Sequence, residues 1–192
     1  EPPGHARFVL SSAAPQALLP TIRSRCVAFH LPIPERAAAL DWLTQQGVAD
    51  AAVLLEVAGG QPEEALAWAR EGIAGEQLRS LPARLSRGDV SAFSAWPVPR
   101  AIDVLQKLCL DLLGARHGVS PRYFAQTPLP LVSSDEQVRA VYDELARIAR
   151  HAEHPWQAGL MAESLSAMGH RLWAAAPSGS TRSQGRGRSS RR

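Results

Sequence analysis

Residues 34–70 read PERAAALDWLTQQGVADAAVLLEVAGGQPEEALAWAR, and the spacing of the apolar residues in this stretch indicates a helical fold. Apolar residues recur every three or four positions in three short runs, which is the period of a helix with one buried face. A proline opens the first and third runs, Asp50 is placed to cap the second, and glycines at 47 and 59–60 end the first two. The stretch therefore predicts three short helices packed as a small bundle.

The sequence from there to residue 176 also predicts helices. Apolar stripes at helical spacing cover 101–113, ended by Gly114, then 138–152, opened by a Ser133–Glu136 capping box, and finally 160–172. A further helix over 77–85 is compatible with the sequence, whereas three prolines make 118–134 a loop. Long helices with narrow apolar stripes are typical of a helical bundle.

Two stretches before Pro34 have strand character instead. Residues 6–12 form a brief apolar block that ends in small hydroxyl residues, and apolar residues alternate with others over 27–31, bounded by prolines. Residues 16–24, between them, predict one or two helical turns interrupted by Pro20. The whole chain is therefore predicted to be mainly α, beginning with the last elements of a parallel α/β sheet.

The charge of the chain is concentrated at its end. The net charge is +3 over 192 residues, but residues 177–192 contain five arginines and no acid, so the rest of the chain carries −2. That balance gives no support for broad phosphate-backbone binding by the body. The Ser/Gly/Arg tail cannot bury a core and is predicted to be disordered; it is either a dispensable extension or a weak nucleic-acid contact.

Composition also excludes several classes of site. Cys26 and Cys109 lie far apart without zinc-ligand spacing, and no carboxylate or cysteine completes a metal set with His151, His154 or His170. No apolar run approaches the ~18 residues of a membrane span. We expect a soluble, cytoplasmic protein with reduced thiols, no metal and no membrane contact.

Residues 18–26 read LLPTIRSRC and carry the main functional signal. An arginine placed just after a predicted strand suits a guanidinium that reaches from a sheet edge toward phosphate oxygens. The Ser24-Arg25-Cys26 triplet resembles the motif of the AAA+ clamp-loader proteins of bacterial DNA polymerase III. Glu1-Pro2-Pro3, and later Gly59-Gly60-Gln61-Pro62 with Ala65-Leu66, follow in the order of that family, so the resemblance covers residues 1 to about 68.

The resemblance implies the C-terminal part of a longer protein whose nucleotide-binding half precedes Glu1. It divides the chain into the end of an AAA+ α/β domain over 1–32, a three-helix lid over 33–76, a helical collar over 77–176 and the tail over 177–192. The collar is expected to assemble the subunits into a ring.

The same resemblance assigns roles to single residues. Arg25 would be an arginine finger offered in trans to ATP that a neighbouring subunit binds, where such a group contributes ~10³–10⁵ in rate. The alternative is a surface arginine that caps a helix end or pairs with an acid. Ser11 and Ser12 lie where the family's sensor-1 residue ends its strand, and Ser24 would also lie near the nucleotide. Glu63 stands where ATP-hydrolysing paralogues offer an arginine, and a carboxylate there would repel a γ-phosphate.

These assignments predict a non-catalytic clamp-loader subunit with no cofactor on residues 1–192, the ATP being bound by a neighbouring subunit. Its partners would be the gamma/tau and delta subunits in a hetero-pentamer, and through them the sliding clamp and primed DNA, as a component of a DNA-directed DNA polymerase, a nucleotidyltransferase assembly. The alternative is an ATP-hydrolysing gamma/tau-type subunit whose phosphate loop lies upstream of Glu1. A nucleic-acid-binding helical module driven by the tail is a third, more distant option.

Overall fold

The computed structural model describes residues 4–12, 14–132, 134–150 and 157–174, and all regular secondary structure in them is helical. A short 3₁₀ turn covers Pro15–Ala17. The α-helices are α1 (Pro20–Arg23), α2 (Arg36–Gln45), α3 (Ala51–Val57), α4 (Pro62–Arg70), α5 (Gly75–Ser86), α6 (Val98–Arg116), α7 (Asp135–Ala149) and α8 (Ala158–His170). The chain divides into two compact units, Glu1–Ile33 and Pro34–Arg192. The prediction of a mainly α chain is confirmed.

The two strands predicted in the first unit are wrong. Residues 6–12, as far as they are described, and 27–31 have no regular structure, and their apolar side chains are exposed, with Val27 98% and Phe8 71% accessible. A strand satisfies its backbone N–H and C=O groups only by pairing with another strand, and neither stretch pairs with a neighbour among the described residues. The helical turns predicted over 16–24 are present as the 3₁₀ turn and α1.

The three short helices predicted over 34–70 are α2, α3 and α4. Gly47, Gly59 and Gly60 have φ values of 74°, 72° and 87°, the left-handed conformation that ends a helix and favours glycine. Asp50 precedes α3 as expected, but its side chain makes no capping bond; the residue has a φ of 54°, and its carboxylate pairs with Arg79 at 3.1 Å. These helices bury the apolar faces that the periodicity predicted, around Leu43, Leu54 and Trp68.

The later helices correct the prediction at three points. α6 continues through Gly114 to Arg116, because one glycine costs a helix only about 1 kcal/mol. α7 is capped by Ser134, whose hydroxyl accepts from the Gln137 N–H; Ser133 itself lies outside the described residues. The sequence allowed either Leu160 or Met161 as the first residue of the α8 stripe; Leu160 is exposed, whereas Met161 packs against the core and Leu165 and Met168 are buried. The predicted helix over 77–85 exists as α5.

The core of the second unit is continuous. α6 packs against α7 and α8, α8 packs against α5, and α3 contacts α2, α4 and α5. Phe93 and Trp96, from the turn between α5 and α6, add an edge-to-face aromatic pair to it. In the described part of the chain no helix is long and apolar enough to cross a membrane. The predicted disordered tail, residues 177–192, and the 151–154 histidine pair lie outside the described residues.

Candidate functional site

Arg25 lies on the exposed turn that follows α1. Pro20 starts this helix with its fixed φ, and Ser24 ends it, donating its N–H to the Pro20 carbonyl at 2.9 Å. Arg25 continues the turn through its own N–H to Ile22 at 3.1 Å. The turn therefore presents Arg25 at the end of a short helix, and not at the edge of a sheet as the sequence predicted.

The guanidinium of Arg25 is only partly engaged. Nη1 donates to the Thr21 carbonyl oxygen at 3.0 Å, and Ser24 Oγ donates to the same oxygen at 3.2 Å. No carboxylate among the described residues pairs with Arg25, so most of its five N–H donors have no protein acceptor there. Such an arginine can bind a phosphate without first breaking an ion pair.

The serines of the predicted site are exposed, and the structure links none of them to Arg25 through a side chain. Ser12 Oγ accepts from the Ala14 N–H at 3.1 Å, a local turn that needs no ligand. Ser11 is exposed in the same irregular stretch. Only Ser24 shares an acceptor with Arg25. The roles of Ser11, Ser12 and Ser24 near a nucleotide stay predictions.

Glu63 is exposed in the first turn of α4. A carboxylate there is favoured by the positive end of the helix dipole. Its neighbour Glu64 has a separate task, since Oε1 accepts from Trp68 Nε1 at 3.1 Å and pairs with Arg100. The start of this helix is thus acidic and offers no cation to a phosphate.

The described residues contain no cluster of three or more side chains able to hold a metal ion. His170 is engaged otherwise: its Nδ1 lies 3.0 Å from the Leu85 carbonyl at the end of α5. His151 and His154 lie outside the described residues.

Sequence reasoning missed a polar centre inside the second unit. Asp111 is buried in α6, where its carboxylate accepts three successive backbone N–H groups, and Lys107 of the same helix lies between two aromatic rings. The sequence did contain one indication of this centre: Asp111 directly precedes Leu112, within the apolar stripe of a long helix. The partners could not be found from the sequence because they are main-chain groups.

Comparisons with known proteins bear on this arrangement. No family model matches the chain. It is 30% identical to the DNA polymerase III subunit delta' of Yersinia pestis, in an alignment of 182 residues that covers 80% of this chain and 50% of that protein. It is 30% identical over 130 residues to the protein of the same name from Escherichia coli K12, with 62% and 39% covered, and 42% identical over 66 residues to the one from Pseudomonas aeruginosa, with 32% and 20% covered.

The chain, whose described secondary structure is helical and which carries an exposed Ser-Arg-Cys turn at residues 24–26, is similar to the clamp-loader class of proteins, and the predicted resemblance is confirmed. Within that class the similarity is to delta' subunits. The chain spans about half the length of the Yersinia pestis relative and less of the other two.

Proposed function

We propose that this chain is part of a delta'-type subunit of a DNA polymerase III clamp loader. The observation that carries the proposal is the similarity to delta' subunits over 80% of the chain, together with the exposed Arg25 of its Ser-Arg-Cys turn. The loader would place the sliding clamp on primed DNA during replication. The contribution of this part of the subunit would be structural and electrostatic, through its helices and the exposed guanidinium of Arg25.

In this proposal Arg25 acts on ATP bound by a neighbouring subunit. Charge accumulates on the equatorial oxygens of a transferring phosphoryl group, and a planar guanidinium with free donors stabilises it by two parallel hydrogen bonds. Arg25 fits the role because it is exposed and bonded only to Thr21. The carbonyl of Thr21 would act as a rest position that the guanidinium leaves when phosphate arrives.

The second unit would join this subunit to gamma/tau and delta in a hetero-pentamer. The lid would be the helices α2–α4 and the collar the helices α5–α8. The rival function, an ATP-hydrolysing subunit, is disfavoured by Glu63, because a carboxylate at the start of α4 repels the γ-phosphate that an arginine would hold.

The test uses the full-length subunit that carries this chain, reconstituted with its loader partners. Arg25→Ala should leave folding and ring assembly intact, since an exposed arginine contributes little to stability. It should slow ATP hydrolysis at the one affected site by about 10³-fold, measured as single-turnover kinetics with clamp and primed DNA. Arg25→Lys should recover little, because an ammonium lacks the planar fork.

Arg23→Ala is the matched control, since it removes an exposed arginine two residues away from the same turn. Its turnover should stay near the wild-type value. Wild-type turnover in the Arg25→Ala loader would refute the finger role, and failure of the ring to assemble would assign Arg25 to a structural interface. ATP hydrolysis by the isolated subunit would support the rival function.

A further inference from the structure

The loop between α6 and α7 is anchored by a buried carboxylate. Asp111 of α6 is 4% exposed, and its Oδ1 accepts from the Arg122 N–H at 2.9 Å. Its Oδ2 accepts from the N–H groups of Tyr123 and Phe124, each at 2.8 Å. A buried carboxylate is costly unless its lone pairs are satisfied, so Asp111 and residues 122–124 fix one another.

A second carboxylate, on a different helix, binds this loop two residues further along the chain, at Gln126. Glu56 of α3 accepts from the Gln126 N–H at 3.1 Å and from its side-chain amide at 2.9 Å. Phe124, at the first anchor, and Thr127, next to the second, are both buried, and the Thr127 N–H closes a turn onto the Phe124 carbonyl at 3.0 Å. The stretch 121–127, here called the latch segment, therefore spans from a collar helix to a lid helix.

Packing reinforces the polar anchors. The Tyr123 ring lies against Gly59, with Cε1 3.5 Å from the position a Cβ would take, and Gly59 has the left-handed φ that ends α3. Lys107 of α6 places its ammonium 4.9 Å from the centroid of the Trp68 ring and 5.6 Å from that of Tyr123. Trp68 belongs to α4, so a single cation contacts the lid and the latch segment together.

An ion pair forms a second tie between the same helices. Arg100, in the first turn of α6, donates through Nε to Glu71 at 2.9 Å and pairs with Glu64 of α4. The hydrogen bond that Arg100 donates to Glu71 is the leading reason why the pKa of Arg100 is raised, followed in the same direction by the charge of Glu64. This tie is half-buried and open to screening, whereas the latch anchor at Asp111 is buried.

We propose that the latch segment holds the lid helices α2–α4 against the collar helices α5–α8, so that both groups move as one rigid body. Asp111 is the residue that fixes the latch segment to the collar. The proposal concerns this chain's own conformation and stands whether or not the chain serves a clamp loader. Without the lock, the helices would still be joined through α5 and the Arg100 tie but would sample a range of relative orientations.

Asp111→Asn is the first test, made in the full chain. An amide has one acceptor oxygen, and its NH₂ group would face main-chain donors, so one or two of the three bonds are lost and the others go to a neutral acceptor. Because each hydrogen bond to a charged acceptor is worth about tenfold or more in an opening equilibrium, the amides of residues 122–124 should exchange hydrogen at least about tenfold faster. Asp143→Asn, an exposed carboxylate on α7, is the matched control and should leave their exchange unchanged.

The rigid-body claim needs a distance measurement. Spin labels on Ala37→Cys in α2 and Ala140→Cys in α7, both exposed, in a Cys26→Ser background, report the separation of the lid and collar helices by pulsed electron resonance. Asp111→Asn should broaden the distance distribution, and Glu56→Gln, which releases only the far end, should broaden it less. Asp143→Asn should leave it unchanged.

Circular dichroism accompanies each variant. If Asp111→Asn does not fold, Glu56→Gln decides: a broader distance distribution with native helix content supports the latch, and an unchanged one overturns it. If both variants fold and both keep the wild-type distribution, helix packing alone couples lid and collar, and the proposal is wrong.

Discussion

The two units of this chain contain similar apolar residues but differ in whether those residues are exposed or buried. In Glu1–Ile33 the described large apolar side chains other than Leu18 and Ile22 are exposed, among them those of Val9, Phe29 and Leu31. In Pro34–Arg192 they fill a core around Leu54, Leu81 and Leu105. A helix satisfies its own backbone, so apolar residues on one face suffice to bury it. An alternating stretch forms a strand only when a second strand supplies the hydrogen bonds, and the first unit offers none in its described part.

The largest expected effect is a difference in unfolding free energy when a leucine is truncated in one unit or the other. Leu105 of α6 is fully buried beside α8, and Leu105→Ala should lower the free energy of unfolding by about 2–5 kcal/mol through lost transfer energy and the cavity. Leu31→Ala removes the same atoms from an exposed residue and should change it by less than about 0.5 kcal/mol. Urea unfolding of the chain followed by circular dichroism measures both; equal losses would contradict the comparison.

Much of the second unit could be predicted because its signals are local. Prolines at the starts of α2 and α4, and left-handed glycines after the ends of α2 and α3, are properties of single residues, and they predicted these helix limits closely. The strands over 6–12 and 27–31 failed because pairing is a property of two segments. Asp50 failed as a cap because Arg79, almost thirty residues later, holds its carboxylate.

The candidate site divides in the same way. Arg25 could be proposed because its motif consists of consecutive residues, and the structure places it exposed on the turn after α1. Asp111 was missed because its partners are backbone N–H groups eleven to thirteen residues later, which any sequence in that loop would possess. Long-range polar contacts to the main chain leave no side-chain pattern to detect.

A smaller effect tests how closely the core of the second unit is packed. Gly169 of α8 faces α5 and α6, and a Cβ there would lie 2.9 Å from the Leu85 methyl groups and 3.3 Å from one of Leu105. Gly169→Ala should therefore cost about 1–3 kcal/mol of unfolding free energy despite the better helix propensity of alanine. The melting temperature, followed by circular dichroism, is a sufficient measurement.

Gly159, in the same helix, has open space around its missing Cβ. Gly159→Ala should leave the protein unchanged or more stable by up to about 1 kcal/mol, because only the propensity term remains. Stabilisation by both substitutions would mean that α8 is not seated on α5 and α6 as described.

The smallest effect concerns the rate at which the two cysteines are modified. Each unit contains one thiol, so the measurement distinguishes the units without changing the stability of the protein. Cys26 is exposed, whereas Cys109 is buried in α6, and burial raises the pKa of the Cys109 thiol to about 12. The thiolate is the reactive form, and a raised pKa keeps Cys109 protonated far above pH 8, where access is also blocked. A disulfide reagent at pH 8 should therefore modify one thiol per chain quickly, and the second only when denaturant is added. Cys26→Ser should abolish the fast phase while leaving the slow one. Two fast thiols in the native protein would show that the α6 core opens on the timescale of the reaction, and the contrast between an open first unit and a closed second one would then fail.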